Sequence, residues 1–260
     1  MKIDFLAFFG CSNLTSINIT SNVIRISDKA FLYCSNLTSI NITSNVTSIG
    51  LDTFGGCEKL KSLSIQSGDT FISLGAFSYC DELTFINIQG NKINIELSAF
   101  EGCKKLTSIN IQGNVTGIGC SAFRYCKSLT SLNIPEGSTS IHDYAFDNCD
   151  SLKSLNIPPG FSIIGKSAFS CCHKLSSINI QDGVTRIGHF QFNRCDSLTS
   201  IILPKSIKII EDGAFSETAL KHIEIPPSVT TIGEYAFYDC PNLDATTKSE
   251  IRRRFGDNVF

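Results

Sequence analysis

The sequence predicts an α/β repeat solenoid of about eleven rungs, and three observations carry that expectation. Phenylalanine recurs at Phe8, Phe31, Phe54, Phe77, Phe100, Phe123, Phe146, Phe169, Phe192 and Phe215 in steps of 23, then at Phe237 after a step of 22. Cysteine follows three places behind most of them, at Cys11, Cys34, Cys57, Cys80, Cys103, Cys126, Cys149, Cys172, Cys195 and Cys240. Between these landmarks isoleucine alternates with small polar residues at the period of a half-buried strand.

The second unit shows what one rung does. Ile40 and Ile42 face inward while Ser39 and Asn41 face out, which makes a strand. Val46 to Gly50 is a second short extended piece ending at a turn glycine. Ala30 to Cys34 lacks β-branched residues and predicts a single helical or 3₁₀ turn, with Phe31 plugging the interior. A lone rung leaves both flat faces uncovered, so stability comes from stacking on neighbours.

This body spans 1–243, with its first rung incomplete because Ile3 already occupies the place of Ile26 and Ile49. Residues 244–260 form a capping helix and tail. Thr247 and Glu250 have capping-box spacing, Ile251 and Phe255 share a helical face, and Gly256 suits the C-terminal stop. Arg252 to Arg254 suit solvent and the helix dipole better than a docking patch. At the other end Phe5, Leu6 and Phe9 lie near an uncapped sheet edge, which predicts self-association, a preceding segment, or fraying.

Composition excludes several classes. A net charge of −2 with scattered basic residues gives no electrostatic footprint for nucleic acid. No apolar run approaches the roughly 18 residues of a membrane span. Asp4 interrupts the N-terminal apolar stretch, so it reads as repeat sequence rather than a signal peptide, and no anchor is evident. The cysteine column reads as buried free thiols. Disulfides between rungs stay open, since a spacing near 4.8 Å is within their reach. Without C-x-x-C pairs or histidines at ligand spacing, neither a metal nor another cofactor is expected.

The pattern Ala-Phe-x-x-Cys-x-x-Leu-x-x-Ile-x-Ile-Pro-x-x-Val-x-x-Ile-Gly runs from Ala168 through Gly188, with Gln181 in the proline place. It resembles the BspA-type leucine-rich repeat and covers more than nine tenths of the chain. The resemblance implies a right-handed leucine-rich-repeat solenoid with a parallel sheet on the concave face and short turns and second strands on the convex side. It also implies a surface-associated adhesion or host-interaction protein of the kind found in bacteria and parasitic protists. The repeat brings no catalytic residues with it.

Candidate contacts are departures from the uniform strand columns. One column reads mostly serine, broken by Phe85 and His222; the next reads mostly asparagine, including Asn87, broken by Ile202 and Glu224. His222 with Glu224 lacks a nucleophile or enclosed pocket, so acid–base chemistry is not expected. The step of 22 comes from a rung where Thr218 replaces the cysteine and one residue is lost before Leu220. Asn-x-Ser/Thr sequons at Asn13, Asn18, Asn36, Asn41, Asn45 and Asn114 scarcely exceed chance and do not establish secretion.

The function expected is therefore non-enzymatic protein binding, at a cell surface if the resemblance holds. The alternative is a cytoplasmic scaffold or regulatory subunit. Lys2-Ile3-Asp4-Phe5 resembles the docking peptide of protein phosphatase 1 partners, with Lys2, Ile3 and Phe5 as its key positions, although a motif this short also arises by chance.

Overall fold

Alternating isoleucines become two columns of parallel strands. The structure is a computed structural model describing residues 1–20, 22–42, 45–66, 68–134 and 139–260, and it winds as a parallel-sheet β-solenoid of about ten turns with one C-terminal helix. The first column includes Ser16–Ile19, Ser39–Ile42, Ser62–Gln66, Ser154–Ile157 and Ser177–Ile180. The second includes Lys2–Ile3, Arg25–Ile26, Ser48–Ile49 and Thr70–Ile72. Register follows the repeat, with Ser16 opposite Ser39, Asn18 opposite Asn41, and Ile3 opposite Ile26.

Two rungs fuse the columns, because Phe85–Ile95 and Ser108–Ile118 run unbroken through both. A glycine sits where each bends, and Gly113 has φ +140° with no room for a Cβ against the Gly90 carbonyl. In one rung proline ends the first strand, Pro158 following Ile157, since it cannot donate to a ladder.

The turn after the second strand is not the helical or 3₁₀ turn that composition suggested. Its amides alternate between two destinations. Lys29, Phe31 and Tyr33 donate to the Leu51, Thr53 and Gly55 carbonyls of the following rung at 2.8–2.9 Å, while Ala30, Leu32 and Cys34 close tight turns onto Ser27, Lys29 and Phe31. Reaching the next rung requires left-handed backbone at Lys29 (φ 56°) and Tyr33 (φ 61°). That strain is offset by the hydrogen bonds these amides make to the next rung.

Phenylalanine fills the centre. Phe31 through Phe237 are buried and stacked, with Phe100 and Phe123 5.3 Å apart and 2° from parallel. Ring spacing widens from 4.8 Å at Phe8–Phe31 to 5.7 Å at Phe169–Phe192. Parallel strands stay near 4.8 Å, so the stack fans open on the turn side and the strand face lies inside the arc.

The C-terminal cap is built differently from expectation. Helix Ala245–Phe255 is N-capped by Asp244, one turn earlier than the Thr247–Glu250 spacing suggested. Asp244 Oδ1 accepts the Thr247 amide at 2.8 Å and Oδ2 the Thr247 hydroxyl at 2.7 Å. Gly256 stops the helix with its amide on the Arg252 carbonyl. All three arginines are engaged within the chain. Arg252 pairs with Asp257 and Arg253 with Glu250, while Arg254 donates to the carbonyls of Ile225, Pro226 and Val229.

Candidate functional site

The strand face is a polar lattice with few interruptions. Its serine column stays in register from Ser39 through Ser62 to Phe85 and Ser108. Side-chain amides form a ladder on it: Asn110 Nδ2 donates to Asn87 Oδ1 at 2.7 Å, and Asn179 to Asn156 at 2.9 Å. Asn87 is therefore tied to its neighbour, while Phe85 projects from the same rung at 41% exposure.

The other departures come together. Ile202, His222 and Glu224 line one hollow of ≈ 420 Å³ with Ser200, Lys205, Pro226 and Pro227. Asn179 pairs with Ile202 and Ser200 with His222 through isolated bridges, which sets these side chains on adjacent rungs. Ile202 is 83% exposed, an unusual position for a branched aliphatic side chain inside a polar column. Phe85 lies several rungs away and shares no wall with it.

His222 also has a structural task. Its Nδ1 lies 2.8 Å from the Thr247 hydroxyl and 3.1 Å from Asp244 Oδ2. The Thr247 proton is committed to Asp244, so the His222 nitrogen brings the proton to this junction. The Thr247 amide and hydroxyl, then His222, hold the Asp244 carboxyl down at about 2. The wall of the hollow is thereby fastened to the capping helix.

From Cys34 onward the cysteine column is closed to reagents. All twelve cysteines are free, and the column thiols donate to carbonyls rather than meeting one another. Cys57 Sγ lies 3.3 Å from the Phe31 carbonyl and Cys126 Sγ 3.3 Å from that of Phe100. Burial pushes the Cys57 and Cys103 thiols up to about 12 and raises Cys80, Cys126, Cys149 and Cys172 as well. Thr218 takes the column place after Cys195 but turns its hydroxyl onto the Phe215 carbonyl of its own rung, at 2.8 Å. Among the described residues no His, Cys, Asp and Glu group could hold a metal ion, and no helix is long and apolar enough to cross a membrane.

At the N-terminal edge Lys2 and Ile3 are paired in a strand, Lys2 bonds Asp4 at 2.9 Å, and Phe5 is 61% exposed. The Ala30 and Leu32 carbonyls accept amides from Phe8 and Gly10. The counterparts one rung earlier, Ala7 and Phe9, face outward from this edge.

The repeat geometry has a counterpart in a known family: the model of the BspA type leucine rich repeat region matches residues 1–130 and 116–244, with 6 copies. The chain belongs to this family. No curated protein matches it. Among solved structures, a leucine rich cell surface protein from Faecalibacterium prausnitzii is 29% identical to this BspA-type chain, with a TM-score of 0.55 over 98% of this chain and 79% of that one. A leucine-rich repeat protein of T. pallidum is similar in fold at 22% identity and a TM-score of 0.55, covering 92% and 86% of the two chains. BspA-type repeats form protein-interaction scaffolds.

Sequence reasoning located the polar columns of the BspA-type repeat and their departures, but missed Lys205, Pro226 and Pro227. The prolines sit where the first strand ends, and the sequence signal was their pairing directly after Glu224 and Ile225.

Proposed function

We propose that this protein is a non-enzymatic interaction module displayed at a cell surface, where it adheres to or recognises a host or partner protein. The observation that carries the reading is Ile202, an aliphatic side chain open to solvent in a walled hollow on a mostly polar face. Such a residue gains by being covered, at about 1.5–3 kcal/mol for full burial, and Pro226 and Pro227 give it rigid walls. Glu224 and His222 supply polar contacts at the rim, and Phe85 with Asn87 forms a second contact further along the arc. The surface location draws support from the Faecalibacterium protein, which is named as a cell surface protein.

The intracellular alternative draws on Lys2, Ile3 and Phe5. Ile3 is paired with Ile26, so docking through this peptide requires the first strand to leave the edge. Self-association at the same end belongs to the proposal through its strands. In the turns, two copies related by a two-fold axis would oppose carbonyl to carbonyl.

Antibody labelling of intact and permeabilised cells tests the surface reading. Labelling of intact cells supports it, and Ile202→Ser should then reduce adhesion without lowering the unfolding temperature. Labelling only after permeabilisation overturns it in favour of the intracellular scaffold.

A further inference from the structure

The turn side of the rungs carries a second hollow with different chemistry. Phe190, Gly213 and Tyr235 occupy one register position in successive rungs, all with left-handed backbone at φ 51°, 60° and 55°. The glycine between two aromatic residues opens the space. A Cβ on Gly213 would strike the Phe190 ring, which lies across it. Phe190, Tyr235 and Tyr238 then wall a mostly apolar volume of ≈ 390 Å³, and Asp212, Glu217 and Glu234 are among the residues that line it.

The charge in this hollow is one-sided. Glu217 is held by Arg194 at 3.0 Å, and Asp212 Oδ1 accepts the Glu234 amide at 3.0 Å while the His189 ring lies 3.6 Å from Oδ2. Among the described residues Glu234 makes no ion pair, and no lysine or arginine lines the space. The comparable hollow between Tyr33 and Tyr79 is lined by Lys29 beside its carboxylates, which places a cation inside it already.

We infer that the Phe190–Tyr235–Tyr238 hollow binds a cationic side chain, a lysine or arginine of a protein partner. The aromatic faces attract a cation within about 6 Å, the aliphatic stem covers apolar ring surface, and Asp212 with Glu234 accepts charge-assisted hydrogen bonds. This site lies on a different surface from Ile202, so Ile202→Ser leaves it intact and the two readings stand or fall separately.

The test is an NMR titration of the full chain with N-acetyl-lysine methylamide and N-acetyl-arginine methylamide. The norleucine analogue, which keeps the stem and lacks the charge, serves as comparison. The aromatic resonances are assigned through Phe190→Leu, Tyr235→Leu and Tyr238→Leu. The expected result is saturable shifts of the Phe190, Tyr235 and Tyr238 signals by at least one cationic probe, about tenfold tighter than by norleucine. The double variant Asp212→Asn, Glu234→Gln should lose about tenfold in affinity at an unchanged unfolding temperature. Equal binding of norleucine, rings that respond to no cationic probe, or full affinity in the double variant would each overturn the assignment.

Discussion

The Phe260 ring lies 6.1 Å from that of Phe237, 23 positions earlier in the chain. The residue before it completes the match: the Val259 carbonyl accepts the Phe237 amide at 2.7 Å, as the Ala236 carbonyl accepts the Phe215 amide at 2.8 Å. Val259 and Phe260 thus stand in the place of an Ala-Phe pair, and Asn258 receives the Tyr235 amide. Deleting residues 258–260 should expose Phe237 and free both amides. Burial of Val259 alone suggests a loss of about 1.5–3 kcal/mol. Hydrogen exchange at Tyr235 and Phe237 checks this, and unchanged protection there would show that the tail does not act as a rung.

Phe123 tests the interior of the stack. It is fully buried between Phe100 and Phe146, with ring centroids at 5.3 and 5.4 Å. Phe123→Ala should cost about 3–5 kcal/mol through lost transfer energy and a residual cavity. Phe8→Ala should cost less, because Phe8 is only partly buried and stacks on one side. Denaturant unfolding of both variants measures the difference. Equal losses would mean that the N-terminal edge is covered in solution.

The aromatic column and the strand face were legible because a fixed period fixes which side chains superimpose. Ile3, Ile26 and Ile49 stack wherever the turns are drawn. The turn conformation was not legible, because a stretch without β-branched residues suits a helical turn as well as alternating right- and left-handed backbone. The signal lay in glycines. Gly10, Gly56 and Gly102 share the register of Tyr33, Tyr79 and Tyr125, and all six have positive φ. Phe260 was missed because Val259 replaces alanine. Asp244 was missed because threonine at 247 satisfies the same capping rule, and only the helix start separates the two. In the candidate site, Ile202, His222 and Glu224 stood out against uniform columns, whereas the proline walls acquire meaning only once the rungs stack.

Thiol reactivity follows from the cysteine column. Cys11, Cys120 and Cys171 are partly exposed, and the other cysteines are buried. The buried ones donate S–H to phenylalanine carbonyls, and burial raises their pKa, so little thiolate forms near neutral pH. An alkylating reagent at pH 8 should label Cys11, Cys120 and Cys171 in the folded protein and all twelve cysteines after unfolding. Mass spectrometry reads the sites. Labelling of Cys126 as fast as Cys120 would contradict the closed column.

Acid stability should report on the Asp244 cap. Its carboxyl is lowered from 3.8 to about 2, chiefly by the Thr247 amide and then by the Thr247 hydroxyl and His222. Because the folded value lies below the unfolded one, its contribution is fully present above about pH 4 and is lost as pH falls through about 2. Asp244→Ala should lower the unfolding temperature at neutral pH, with the gap to the unmodified chain closing across that window. Asp244→Asn keeps an acceptor for the Thr247 amide and removes the charge, so its unfolding temperature should lie between the two at neutral pH. The wall of the strand-face hollow shares this junction through His222 Nδ1. Loss of the cap should therefore shift the His222 ring resonances as well. A gap between the alanine variant and the unmodified chain that stays constant from pH 7 to pH 2 would remove Asp244 ionisation from the account of the cap.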